Sequence, residues 1–211
     1  MKLNTFQAAA GISAALATRW YPHVLRTMET YHIDTPTRQA DFLAQLGHES
    51  AGFTRVVESM NYSPQGLMAT FPRSRITAED CRRLGRRAGE TTVPLARQQE
   101  IANLVYGGRY GNNRAGDGWL YRGRGLKQVT FLANYKACGE ALGIDLVRKP
   151  ELLQDDQYAA LSAGWFWALN GLSMFADAGD FVGQTKIING GINGLDDRKA
   201  RRANARQVLL A

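Results

Sequence analysis

Apolar residues recur at helical spacing along most of the chain. Leu16, Trp20, Val24 and Met28 form one stripe of a helix that Ser13 caps and that runs to Tyr31, after a shorter helix over about 5–10. Thr35, with Pro36 at the first helical position, starts a third helix that continues to Ser50. Leu43, Leu46 and Ser50 share one of its faces; Phe42, Leu46 and Glu49 share the adjoining one. Gly52 can end this helix, and Val56-Val57 favours an extended segment. Asn61-Tyr62-Ser63-Pro64 reads as a turn. Thr77-x-x-Asp80 resembles a capping box for a helix to about Arg87, and another helix spans about 94–106. The glycine-rich run over 107–118 has no strand before it and no Gly-Lys-Ser/Thr, so it reads as a cleft-edge loop and not a phosphate cradle. Residues 119–130 are expected to be irregular or briefly extended. Helices follow over 131–142, from Asp155 or Asp156 to Leu169, over about 179–188, and from Asp196 or Asp197 to Leu210. Leu161, Trp165 and Trp167 read as core anchors, with a sugar-stacking platform as the alternative for Trp165. The pattern predicts a mainly α-helical fold with at most a small sheet.

Composition refines this picture in three places. At 211 residues the chain can form a single domain, 1–211, divided into a larger lobe of about 1–63 and 117–211 and a smaller lobe of about 64–116. Two cysteines, Cys81 and Cys138, do not make a disulfide scaffold and fit free buried thiols in a reducing cytosol. The alanine-rich start can imitate a secretory signal, but Gln7, Gly11, Ser13 and Thr18 keep it weakly apolar, and two short helices are the better reading. No stretch approaches the ~18 apolar residues of a membrane span, so stable membrane insertion is not expected.

The net charge of +7 is patterned. Residues 73–87 hold six Arg against Glu79 and Asp80; residues 196–206 hold Arg198, Lys199, Arg201, Arg202 and Arg206 against two Asp. These runs are either solvated helix faces or attractors for a polyanion. Nucleic acid is not the expected partner, because helix-turn-helix, zinc and aromatic RNA-binding signatures are missing.

The chemistry centres on Glu49 and Glu58. Glu49 sits at the border of an apolar stripe, where partial desolvation would disfavour its charged form; an ordinary solvated surface glutamate is the alternative. On a continuous helix, positions nine apart would be roughly 13 Å apart along the axis. Two carboxylates acting on one glycosidic bond need about 5 to 9.5 Å. A break at Gly52 would let the chain turn back and bring Glu58 opposite Glu49, one raised acid facing one ionised carboxylate. A zinc helix is excluded, since His-Glu-x-x-His would need histidine where Gly52 stands. No cofactor or metal is called for.

Three blocks carry a family resemblance. His48-Glu49-Ser50-Ala51-Gly52-Phe53 with Glu58-Ser59-Met60-Asn61-Tyr62-Ser63 is similar to the catalytic signature of the family 19 glycoside hydrolases. Tyr121-Arg122-Gly123-Arg124-Gly125-Leu126-Lys127-Gln128-Val129-Thr130, followed by Asn134-Tyr135, resembles that family's second block. Ile187-Ile188-Asn189-Gly190-Gly191, then Asp197-Arg198, resembles its third. The blocks stand in the family's order across 48–198, and the nearest likeness is to compact phage and prophage endolysins. The resemblance implies a lysozyme-like, two-lobed fold with a central substrate cleft. It implies Glu49 as general acid, Glu58 as general base, and Thr130, where the family has Ser or Thr, as holder of the attacking water. Gln128, Asn134 and Asn189 would bond sugar amides and hydroxyls, with His48 and Tyr62 also counted among the substrate-binding positions. Arg198 would belong to a buried ionic network, or else be a surface residue at a helix start.

The implied activity is that of an endolysin-type lysozyme cutting the glycan strands of peptidoglycan with inversion, across a carboxylate gap of about 6.5 to 9.5 Å. A chitinase is the neighbouring alternative; a non-catalytic wall-binding module would need no carboxylate pair. The expected protein is a monomer held in the host bacterial cytoplasm until release to the wall or periplasm, with a separate membrane pore protein, a holin, giving access.

Overall fold

A computed structural model describes all of residues 1–211. It contains twelve α-helices: α1 Leu3–Ala10, α2 Ala14–Thr30, α3 Pro36–Glu49, α4 Pro64–Thr70, α5 Ala78–Leu84, α6 Leu95–Tyr106, α7 Asp117–Leu120, α8 Leu132–Leu142, α9 Asp156–Leu169, α10 Leu172–Asp177, α11 Phe181–Asn189 and α12 Leu195–Leu209. A 3₁₀ turn over Pro150–Gln154 precedes α9. There is no sheet, only isolated bridge residues such as Val57, Arg124 and Val129. The mainly α-helical expectation holds.

Local chemistry explains most boundaries. The Ser13 hydroxyl accepts from the Leu16 N–H at 3.3 Å, and Thr35 accepts from Arg38 at 3.2 Å. Thr77 accepts from Asp80 at 3.0 Å and starts α5 as the sequence suggests, but α5 stops at Leu84, where Gly85 follows, and does not reach Arg87. Three elements escape the periodicity argument. The short helices α4, α7 and α10 have too few residues to display a stripe, and α7 lies where an irregular segment was expected.

The chain forms two compact units. The first comprises 1–56, 124–128 and 151–211; the second comprises 57–123 and 129–150. The second thus takes in the 64–116 segment expected for a smaller lobe and adds 57–63, 117–123 and 129–150 to it.

The core of the first unit gathers Trp20, Val24 and Met28 of α2, Phe42, Leu43 and Leu46 of α3, and Trp167 of α9, all buried, with Phe53 and Leu126 from the connecting segments. Phe42 and Trp167 meet edge to face with ring centroids 5.2 Å apart. Trp165 is buried as well, as a core role requires. The core of the second unit joins Met60, Leu67, Ile76, Cys81, Leu84, Val93, Ile101 and Val105. Cys81 and Cys138 are buried free thiols, and burial pushes the Cys138 thiol up to about 12.

The basic run at 73–87 is heterogeneous. Arg73 donates to the carbonyls of Leu67, Met68, Phe71 and Ile76 and to Cys81 Sγ, so it holds its own loop together. Arg83 pairs with Asp80 and Glu100. Arg82 and Arg87 are exposed and Arg86 is half-buried. In the run at 196–206, Arg198, Arg201 and Arg202 are ion-paired within the first unit, and Arg198 is fully buried while Lys199 is exposed.

Candidate active site

Glu49 is the last residue of α3, and its side chain is 13% exposed. Its carboxylate meets Arg198 of α12, which is wholly buried and donates from Nη2 to Glu49 Oε1. Arg198 also donates from Nη1 to Gln45 Oε1 at 2.6 Å and from Nε to the Asn193 carbonyl at 3.2 Å. Gln45 in turn donates to the Thr185 hydroxyl at 3.1 Å, which donates to the Phe181 carbonyl. All three nitrogens of the guanidinium are used, so its plane cannot rotate without losing buried hydrogen bonds. Of the two readings of Arg198, the buried network is the one found.

The network repeats along the α3–α12 contact. One turn before Gln45, the fully buried Asp41 accepts from Arg202 Nε at 2.6 Å and from Nη2 at 3.2 Å. Burial raises the Asp41 carboxyl against the opposing pull of Arg202. On the outer side, His48 Nδ1 lies 2.7 Å from Asp197 Oδ2, which also accepts from Arg201 at 2.8 Å. Burial works against the Asp197 charge, but Arg201 and His48 outweigh it and hold the carboxyl below its ordinary value. A Cβ on Gly194, at the start of α12, would lie 2.1 Å from the His48 ring, and Gly194 has φ +70. His48 is therefore packed on backbone that only glycine supplies.

Lys127, in the 124–128 segment, adds a second cation. Its Nζ stands 4.3 Å over the Phe166 ring. Burial lowers its amine, while the charge of Glu49 pulls it back up.

The turn expected at Gly52 begins earlier and is more strained. Ser50 caps α3, and then Ala51, Gly52 and Phe53 all have positive φ, at 50°, 72° and 63°. Left-handed backbone costs a non-glycine residue roughly 1–2 kcal/mol. It is held because Ser50 Oγ accepts from the Phe53 N–H at 2.8 Å, Trp20 Nε1 donates to the Phe53 carbonyl at 2.9 Å, and the Phe53 ring is buried. This turn carries the chain from Glu49 towards Glu58.

Glu58 belongs to the second unit. Tyr106, at the end of α6, donates its hydroxyl to Glu58 Oε1 at 2.6 Å, and the Gly123 N–H donates to Oε2 at 3.1 Å. The Glu58 N–H returns a 2.8 Å bond to the Gly123 carbonyl. Burial pushes the Glu58 carboxyl above its ordinary value, while Tyr106, Gly123 and the charge of Arg122 pull the other way. An upward shift therefore falls on the residue that the sequence reading took as the plainly ionised partner. Burial and the charge of Glu58 raise the Tyr106 phenol, which keeps its proton and remains a donor.

The family model described as Chitinase class I matches residues 95–184. A glycosyl hydrolase family 19 domain-containing protein of Haemophilus influenzae is 39% identical over 167 residues, 76% of this chain and 74% of that protein. The chain belongs to glycoside hydrolase family 19. Similarity to plant members covers less: Basic endochitinase B of Arabidopsis thaliana is 34% identical over 108 residues, 40% of this chain and 32% of that protein. Among solved structures, chitinase C from Streptomyces griseus shares the fold with a TM-score of 0.61 at 20% identity, covering 100% of this chain and 76% of that one. A bacterial family 19 chitinase does so with a TM-score of 0.59 at 22% identity, covering 99% and 93%.

As a family 19 glycoside hydrolase, the chain places its remaining candidate residues unequally. Gln128 has φ +60 and turns its Nε2 back to the Gly125 carbonyl at 2.7 Å. Thr130 is half-buried, and its carbonyl accepts from Asn134 at 2.9 Å, which leaves the exposed Asn134 tied to the start of α8. Phe131, next along, has φ +75, a second strained residue flanking Thr130. Asn189 is exposed at the end of α11. Tyr62 is half-buried, its ring 5.5 Å from that of Phe71.

Sequence reasoning missed Gln45, Tyr106 and Lys127. Gln45 had a signal. Asp41, Gln45 and Glu49 recur every four residues along α3, the first two inside its buried stretch, and Arg198 and Arg202 repeat the spacing on α12. Tyr106 and Lys127 had none, because their partners are set by packing.

Proposed function

We propose that this family 19 glycoside hydrolase is an endolysin-type lysozyme that cleaves peptidoglycan glycan strands by single displacement with inversion. The observation that carries the acid/base assignment is the contrast between the two carboxylates. Glu58 accepts a donor on each oxygen, and these bonds oppose the burial that raises its carboxyl, as a general base needs. Glu49 accepts Arg198 on Oε1 and no protein donor on Oε2, and Oε2 would deliver the proton to the departing glycosidic oxygen. Thr130 would position the attacking water, and Gln128, Asn134, Asn189, His48 and Tyr62 would contact the sugars.

Peptidoglycan is favoured as substrate by the net charge of +7 and by the exposed Arg82 and Arg87, because the bacterial wall bears free peptide carboxylates and chitin bears no charge. The protein would act as a monomer from the host cytoplasm, reaching the wall through a pore made by another protein. No helix is long and apolar enough to cross a membrane. Chitin is the second reading, favoured by the endochitinase names of the plant relatives.

Purified peptidoglycan and chitin are digested in parallel and the fragments identified by mass spectrometry, with proton NMR of the first product before mutarotation. Release from peptidoglycan as the α-anomer of a β-linked strand is expected. Release from chitin alone would replace the substrate, and a β-anomer would replace the mechanism.

A further inference from the structure

A row of aromatic rings in the second unit leads away from Glu58. Tyr106, bonded to Glu58, meets Phe131 edge to face with centroids 5.3 Å apart, and Phe131 meets Tyr110 at 4.9 Å. Tyr106 and Phe131 are half-buried, but Tyr110, at the outer end, is 64% exposed. The Arg109 guanidinium lies 5.4 Å from the Tyr110 centroid and 5.1 Å from that of Phe131. It forms no ion pair, and its charge reaches Tyr106, where it opposes the burial and the Glu58 charge that raise the phenol.

The backbone of this corner is tied by hydrogen bonds. Tyr110 has φ +44, a conformation that costs an L-residue energy unless its surroundings impose it. The Tyr110 carbonyl accepts from the Ala133 N–H at 3.0 Å, and the Asn112 N–H donates to the Arg109 carbonyl at 2.8 Å. The Asn112 side chain, buried, accepts from Leu132 at 2.9 Å and donates to the Tyr106 carbonyl at 3.1 Å. An exposed aromatic ring thus stands on a bonded, left-handed backbone beside a cation that forms no protein ion pair.

We infer that Arg109 and Tyr110 form a saccharide-binding subsite for an acidic sugar: the Tyr110 ring stacks on the apolar C–H face of a pyranose, and the Arg109 guanidinium pairs with a carboxylate carried by that sugar. A flat ring supplies contact area at small entropic cost, and guanidinium–carboxylate pairing is directional. The carboxylate half rests on the peptidoglycan reading; the stacking half does not.

The test measures binding by calorimetry on the full chain carrying Glu49→Gln, so that ligands survive. Three ligands are used: chitohexaose, a muramic-acid-containing hexasaccharide with free peptide carboxylates, and the same hexasaccharide amidated. Tyr110→Asn, which tolerates left-handed backbone, should weaken all three about tenfold, and Tyr110→Phe should not. Arg109→Gln should weaken only the ligand with free carboxylates, about tenfold, as amidation of that ligand does in the chain that keeps Arg109. Unchanged affinity in Tyr110→Asn would overturn the platform, and equal losses for all three ligands in Arg109→Gln would overturn the carboxylate contact. Wild-type cleavage of chitin alone would overturn the acidic-sugar half together with the reading beneath it, and the chitohexaose arm would still decide the platform.

Discussion

Arg198 bonds Glu49 from 149 positions further along the chain, and it does so fully buried. Removing one partner of a buried pair strands the other. Arg198→Met should therefore cost about 3 kcal/mol, the lower end of the usual range because Glu49 keeps some exposure. Urea denaturation checks this, and the double variant Arg198→Met/Glu49→Gln should recover part of the loss. A single variant within 0.5 kcal/mol of wild type would mean that water replaces the guanidinium at no cost, about what an ordinary surface substitution shows.

Tyr106→Phe tests the base. The Tyr106 hydroxyl favours ionised Glu58 and so opposes the burial that raises its carboxyl. Without it the carboxyl rises further. A general base works ionised, so the rate falls as pH drops through its pKa, and the acid limb of kcat/KM should move to higher pH. Below that limb the loss should be roughly tenfold or more, the scale of a hydrogen bond to a charged group. It should shrink as pH rises. A limb that stays in place would remove Tyr106 from control of the base.

Gly194→Ala puts a Cβ at φ +70 and 2.1 Å from the His48 ring. Strain and overlap together should lower stability by about 2 kcal/mol or more, read from thermal unfolding. Gly194→Ala/His48→Ala relieves the overlap alone and should restore part of it. Equal losses with and without the imidazole would show that backbone strain is the whole effect.

Charge neutralisation separates the basic residues by location. Arg82, Arg86 and Arg87 changed together to Gln should weaken wall binding and flatten its salt dependence between 0.05 and 0.3 M salt (roughly the range where screening of exposed charges grows). Hydrolysis of short soluble oligosaccharides should be unaffected. Arg202→Gln should instead unfold the chain at lower denaturant, since it leaves Asp41 buried without its partner. Identical salt sensitivity before and after the triple change would show those three to be solvated only.

The sequence by itself determined the helices whose signals are local: the stripe of α2, the Thr35-Pro36 start of α3, and the Thr77 cap of α5. It also determined the family, through blocks of residues in order. Glu49 was legible because it stands in the His48–Phe53 block that resembles the family's catalytic signature. Only the tertiary structure decided what surrounds it. The cations of 196–206 look like one basic run in the sequence, yet Arg198 faces Glu49 and, one turn along the same face, Arg202 faces Asp41, whereas Arg201, about 100° round α12 from Arg202, faces Asp197. Tyr106 reaches Glu58 across 48 positions, and the turn at Ala51–Phe53 keeps two left-handed non-glycine residues that local preference would reject. Such features depend on a buried ring, a distant hydroxyl or a guanidinium supplied by other parts of the chain, and no window of neighbouring residues contains them.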